Sequence, residues 1–124
     1  MANPNINSAT NVYAANTAFS LTTTAATQII TNPASSGKVF LVDGVVVANT
    51  DTTNAVLVTL SQYTQATNTG TKFDLASSVS SPAAATLLVV DKGTGVALLE
   101  NQSIYAVAGA TGKLIVNAYW KEIS

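Results

Sequence analysis

Apolar and polar positions alternate along most of the chain, in short runs closed by Gly, Pro, Asn and Ser. The clearest run is 113–123. Leu114, Val116, Ala118 and Trp120 fall on one side of it, and Lys113, Ile115, Asn117, Tyr119 and Lys121 on the other. A period of two puts successive side chains on opposite faces of a strand, so this run predicts a strand with Trp120 buried between two sheets. Residues 56–63 repeat the pattern, with Val56, Val58 and Leu60 opposed to Leu57, Thr59 and Ser61. The strongest strand signal is 38–49 (KVFLVDGVVVAN), where Asp43-Gly44 breaks the alternation and marks a bulge.

The same pattern predicts a Thr-rich strand over 19–31 ended by Asn32-Pro33, a short strand over 72–76, and further strands at 85–91, 98–99 and 103–108. Polar loops at 50–54 and 64–71, a Ser-rich link with Pro82, a loop at 92–95 and a glycine turn at 109–112 separate them. No segment holds a helical period beyond one or two turns. About eight short strands at this spacing predict an all-β chain, an antiparallel sandwich or barrel spanning 18–124. Residues 1–17 are polar, include Pro4 and show no period, which predicts an extended N-terminal arm. A polar terminus needs a surface to hold it, so Asn3, Pro4, Asn5, Ile6, Asn7, Val12 and Tyr13 are the candidate protein-contact residues.

Composition narrows the function. The chain has 124 residues, and charged residues are 9 % of them, against roughly 25 % in an average globular protein. It carries five lysines, no arginine, no histidine and no cysteine. Disulfides, Cys/His zinc sites, thiol nucleophiles and histidine triads are therefore excluded. A net charge of −1 lacks the dense basic face that nucleic acid requires. No run approaches the ~20 apolar residues of a membrane-spanning helix. The first residues lack the charge and apolar run of a secretory signal, so the glycosylation pattern at Asn101-Gln102-Ser103 reads as chance. Eighteen threonines, with Ser and Asn, replace the missing charge. A surface of hydroxyls and amides is weakly soluble as a free monomer and suits burial in an assembly.

Candidate chemistry is thin. Gly109-Ala-Thr-Gly112-Lys113 has a phosphate-loop look, but Val107 occupies the first glycine position, Leu114 replaces the hydroxyl residue, and a strand follows instead of a helix. Gly93-Thr-Gly95 reads as a turn. The carboxylates Asp43, Asp51, Asp74, Asp91, Glu100 and Glu122 show no spacing that would group them for calcium or for glycoside hydrolysis. Tyr13, Tyr63, Phe73, Tyr105, Tyr119 and Trp120 could stack on sugars, Tyr119 being the best exposed because it points away from Trp120. The expectation is a protein with no catalytic residues, no cofactor and no metal.

Three segments carry a family resemblance. Residues 36–53 (SGKVFLVDGVVVANTDTT) run from a Gly-Lys turn into an apolar strand, Ala-Asn-Thr and a small-residue hairpin, followed by Val56–Leu60 of Val-x-Val-x-Leu type. Leu87-Leu-Val-Val precedes Leu98-Leu-Glu-Asn-Gln-Ser-Ile104, and the chain closes on 114–124 (LIVNAYWKEIS). These resemble small virion structural proteins of tailed bacteriophages, over roughly residues 20–124. One departure is Glu100-Asn-Gln-Ser103, where the family often has Glu-x-Gly-Asp. The resemblance implies a jelly-roll β-sandwich, with an immunoglobulin-like strand order as the alternative. It implies a decoration or cement protein on the capsid surface, made in the host cytoplasm, that ties neighbouring shell subunits together. Its partners would be the major capsid protein and further copies of itself, as a trimer, with no nucleic acid and no membrane. The alternative is a tail or fibre module binding receptor carbohydrate.

Overall fold

Among the described residues, apolar side chains at alternate positions build nine strands, β1 (Val12–Ser20), β2 (Thr27–Asn32), β3 (Val39–Asn49), β4 (Val56–Tyr63), β5 (Lys72–Ser81), β6 (Thr86–Asp91), β7 (Ala97–Leu98), β8 (Gln102–Ala108) and β9 (Leu114–Ile123). The computed structural model describes residues 5–124. All pairs are antiparallel. One sheet, here sheet A, runs β1-β9-β3-β6, with the two-residue β7 beside β3; sheet B runs β2-β8-β4-β5. The two pack face to face as an antiparallel β-sandwich. Successive strands switch sheets from β1 to β2 and from β2 to β3, whereas the first two strands of an immunoglobulin sandwich lie in one sheet.

The core is the set of inward positions the alternation marks. Val42, Val45, Val47, Leu114, Val116 and Ala118 from sheet A meet Ile30, Val58, Leu60, Ile104 and Ala106 from sheet B, all buried. The bulge expected at Asp43-Gly44 is present, as a register shift between Val42 and Gly44 opposite β9. Two buried amides tie the ends of strands. Asn32 Nδ2 donates to the carbonyls of Lys38 and Leu98. Asn49 Nδ2 donates to those of Asn54 and Ser81.

Besides the start of β1, the structure differs from the sequence reading over residues 19–31, in β5 and at Trp120. The expected strand over 19–31 is two strands, because Leu21 turns into the core at 0 % exposure and residues 21–26 cross between the sheets. β5 continues to Ser81 through the Ser-rich stretch read as a link. Ser77-Ser78 sits at a bulge, with Ser78 at φ 47 and its amide bonded to Thr59 Oγ1, so no alternation survives there. Trp120 is half-buried, a correction to full burial. It lies on the inner face but at the end of the sandwich, stacked on Phe40 at 6.2 Å with Nε1 donating to Glu122 Oε2 at 3.3 Å.

Candidate functional site

The two outer faces of the sandwich are built differently. Across sheet B the loop over 64–71 folds back onto the strands. Its Ala66 carbonyl accepts from Gln28 Nε2 at 3.2 Å and Thr31 Oγ1 at 3.0 Å, both on β2. Ser103 Oγ of β8 donates to the Gln65 carbonyl at 2.7 Å, and the Ala66 amide donates to Asn101 Oδ1 at 3.1 Å. Ser103 is buried although it points outward, and its hydroxyl is satisfied by the loop backbone. Beside it, Tyr105 meets Tyr63 edge to face at 5.2 Å, and Ser61 Oγ donates to Asp74 Oδ1 at 2.7 Å.

The outer face of sheet A is covered at one end, where the paired Val39 and Ile123 are buried, and is open across its middle. The register aligns Ala18, Asn117, Val46 and Leu88 in one row, and Asn16, Tyr119, Gly44 and Asp91 in the next. Leu88 and Tyr119 are exposed there, 56 % and 47 % respectively, and Val12 stands exposed at the corner. The Tyr119 ring lies beside Gly44, where an added Cβ would sit 4.0 Å from it in ordinary contact. Charge is sparse on this face. Lys121 pairs with Asp43 at 3.2 Å, and Asp91 accepts the Thr94 amide at 3.0 Å. Between Leu41, Asp43, Lys121, Lys92 and Val96 lies a recess of about 170 Å³. It brings together two lysines and one already paired carboxylate, which is no acid–base or nucleophile arrangement.

Of the residues predicted to make protein contacts, Asn3 and Pro4 lie outside the described residues. Asn5 caps a short 3₁₀ turn over Ile6–Ser8, its side chain accepting the Asn7 amide at 3.0 Å. Asn5 and Asn7 are exposed. Val12 and Tyr13 belong to β1, opposite Ile123 and Glu122. Residues 12–17, read as part of the arm, are thus the first half of the strand. Its inner and outer positions are both rich in alanine, so no alternation marked it. The amides of Thr10 and Asn11 both donate to the Ser124 carbonyl, fastening the base of the arm to the end of β9.

The remaining candidates resolve into structural roles. In the 109–112 turn the Gly109 amide donates to the Leu57 carbonyl and that of Gly112 to the Leu21 carbonyl, so these amides bind protein rather than phosphate. Four carboxylates face lysines within 4 Å: Glu122 with Lys38, Asp74 with Lys72, Asp51 with Lys113 and Asp43 with Lys121. The Asp51 carboxyl lies below its usual value, chiefly because the amides of Thr53 and Asn54 donate to it. That of Asp74 is lowered first by the Ser61 hydroxyl and then by Lys72. Among the described residues no three acidic side chains converge on a metal position. The aromatics form no single platform, since Tyr119, Tyr63 with Tyr105, and Phe40 with Trp120 stand on different surfaces. The loop anchors Gln28, Thr31, Asn101 and Ser103 carried no sequence signal, because each bonds backbone 35 to 38 residues away that any side chain could supply.

No family model matches this chain, and no curated protein matches it. Among solved structures it is similar to a chain of the "Cyanophage Pam1 capsid asymmetric unit", with 19 % identity, 99 % of this chain and 91 % of that chain covered, and a TM-score of 0.38. A likeness at that score carries no argument about fold or role.

Proposed function

We propose that the chain is a virion structural protein of a tailed bacteriophage, a capsid decoration protein that binds the outer shell and ties neighbouring capsid subunits together without catalysis. The observation that carries this reading is the outer face of sheet A, set with exposed Leu88, Tyr119 and Val12, its lysine Lys121 already paired with Asp43. Such a face loses little on being taken out of water, because few ions have to be desolvated. The resemblance over residues 20–124 supports the same reading. So does the strand order, which without β7 interleaves β1-β9-β3-β6 with β2-β8-β4-β5, the pattern we assign to a jelly roll of two Greek keys. The arm ahead of β1, with Asn5, Ile6 and Asn7 and continuing into Val12 and Tyr13, would lie on a neighbouring molecule. Repetition of weak contacts around a closed shell would give the avidity.

The test is the copy number of this chain in purified particles, by quantitative mass spectrometry against the major capsid protein. A ratio comparable with the shell subunit supports decoration. A ratio far lower moves the chain to the tail or fibres, where glycan binding around Tyr119 becomes the question. Absence from particles removes the virion reading. Self-association is part of the proposal: the resemblance implies a trimer, which sedimentation mass distinguishes from a two-fold pair.

A further inference from the structure

Among the described residues five strands stand at sheet edges; β7 is only two residues long, and three of the other four are blunted. β2 has a register shift between Gln28 and Ile30, β5 has two shifts opposite β4, and β6 has one opposite β3. β5 also carries Lys72 and Asp74, and β6 ends in Asp91. Bulges and charges of this kind keep an open sheet edge from pairing with another chain. β1 has none of them. It runs nine residues in unbroken register with β9, and its sequence VYAANTAFS holds no charge, no proline and no glycine.

The hydrogen bonds at its two ends fix which backbone groups are free. Asn11 and Ser124 exchange both bonds, and at the other end the Leu21 amide donates to the Leu114 carbonyl. In an antiparallel ladder, bonded positions alternate. With no shift between the two ends, the odd residues 11–21 bond to β9. The even residues Val12, Ala14, Asn16, Ala18 and Ser20 direct their N–H and C=O away from the sheet, and all five are exposed.

We propose that the free edge of β1 pairs antiparallel with β1 of a second copy of this chain about a two-fold axis at Asn16, making one continuous sheet from two copies of sheet A. The occupant follows from the strand itself. Centring on Asn16 sets Val12 opposite the second copy's Ser20, Ala14 opposite its Ala18, and Asn16 opposite its own mate. Every outward amide and carbonyl of the strand is then used. On the inner side the same register sets Tyr13 opposite Phe19, an aromatic pair of the kind that stabilises neighbouring strands. With no charge in β1, the identical strands bring no like charges together. A two-fold contact is self-complementary and closes on itself, so it yields a dimer rather than a fibre. This inference does not depend on the shell-binding reading and is tested without particles.

The full chain in solution is expected to sediment at twice its 12.6 kDa. Asn16→Pro removes an outward N–H and crowds the partner strand while leaving the bonds to β9 in place, since proline is tolerated where an edge strand faces away from its sheet. It should give a monomer with an unchanged β-sheet circular dichroism spectrum. Because that variant could fail to fold, single cysteines in the otherwise cysteine-free chain supply a second measurement. Asn16→Cys should crosslink to its mate with a bis-maleimide of under ~10 Å reach, each thiol adding across one maleimide double bond, because facing residues of a bonded pair sit ~5.5 Å apart. Ala14→Cys should not, its two copies lying roughly 14 Å apart along the strand. A monomeric or trimeric wild-type chain at all concentrations, or equal crosslinking of the two cysteine variants, overturns the proposal.

Discussion

Sheet B wears its own loop, and the middle of sheet A, from Leu88 to Tyr119, is open. Both outer faces begin from the same alternating pattern, and both are poor in charge. On sheet B, Ser103, Thr31 and Gln28 point outward and are met by the backbone of residues 64–71. The hydroxyls and amides there are spent within the molecule. On sheet A the corresponding positions are Ala18, Asn117, Val46 and Leu88, whose side chains have nothing from the same chain laid over them among the described residues. A face that a protein does not need for its own stability, and does not fill with charge, is available for contact with other molecules. On that difference rests the proposal that the outer face of sheet A is the contact surface.

That division makes substitutions on the two sides behave differently. The largest effect is expected inside, where sheet A meets the core. Trp120→Ala removes a half-buried ring stacked on Phe40 and should cost about 2–3 kcal/mol in urea unfolding, below the ~3–5 kcal/mol of a fully buried tryptophan. A cost under about 1 kcal/mol would mean the indole contributes little at the sandwich end. Next comes sheet B. Ser103→Ala removes the buried hydroxyl that donates to the Gln65 carbonyl, for an expected loss of about 0.5–1.5 kcal/mol. Hydrogen exchange should quicken in residues 64–71 before it does in β4 or β8. Unchanged exchange in that segment would show that the loop is not held by these bonds.

Much of the sandwich was legible in the residues because one face of each central strand is driven inward. Val56, Val58 and Leu60, or Leu114, Val116 and Ala118, can satisfy burial in one register only. β4 accordingly spans Val56–Tyr63, as the alternation indicates, and the Asp43-Gly44 interruption is a bulge. The edges were not legible for the same physical reason. β1 is exposed along its outer side and only half-buried along its inner one, and the second half of β5 is exposed up to Ser81, so little periodic demand is placed on their side chains. Alanine and serine serve equally well inside and out. The exposed face of sheet A was half visible, in Ile115 and Tyr119 opposing Trp120. The covered state of sheet B was invisible, because loop backbone supplies the partner atoms.

On the bare face, Leu88→Ser should change stability by no more than about 0.5 kcal/mol, as exposed substitutions usually do, while weakening attachment to particles in a pull-down of the purified variant. Full retention on the shell would take Leu88 out of the contact and shrink the recognition surface toward Tyr119. A substantial loss of stability would undo the contrast itself, since it would mean that sheet A's outer face also holds the fold.

Acid supplies the smallest effect, and it separates the faces without a partner. Asp74, on the sheet B side, is held below its usual 3.8 first by the Ser61 hydroxyl and then by Lys72. Asp51 is held below the same value by the amides of Thr53 and Asn54. For a lowered carboxyl the folded state favours the charged form, so the unfolded chain binds the proton first as pH falls. The stabilisation is complete above the unfolded value, near 3.8, and disappears as pH drops through the lower folded value. The melting temperature should therefore be flat with respect to these two groups from pH 7 to about 5 and fall below pH 4. Asp74→Asn keeps an acceptor for Ser61 but removes the titrating charge, so its melting temperature should fall less steeply below pH 4 than that of the unsubstituted chain. Parallel curves for the two proteins would mean that the Ser61–Asp74 contact does not distinguish the ionised carboxylate, and that sheet B's polar cover is held by the loop backbone alone.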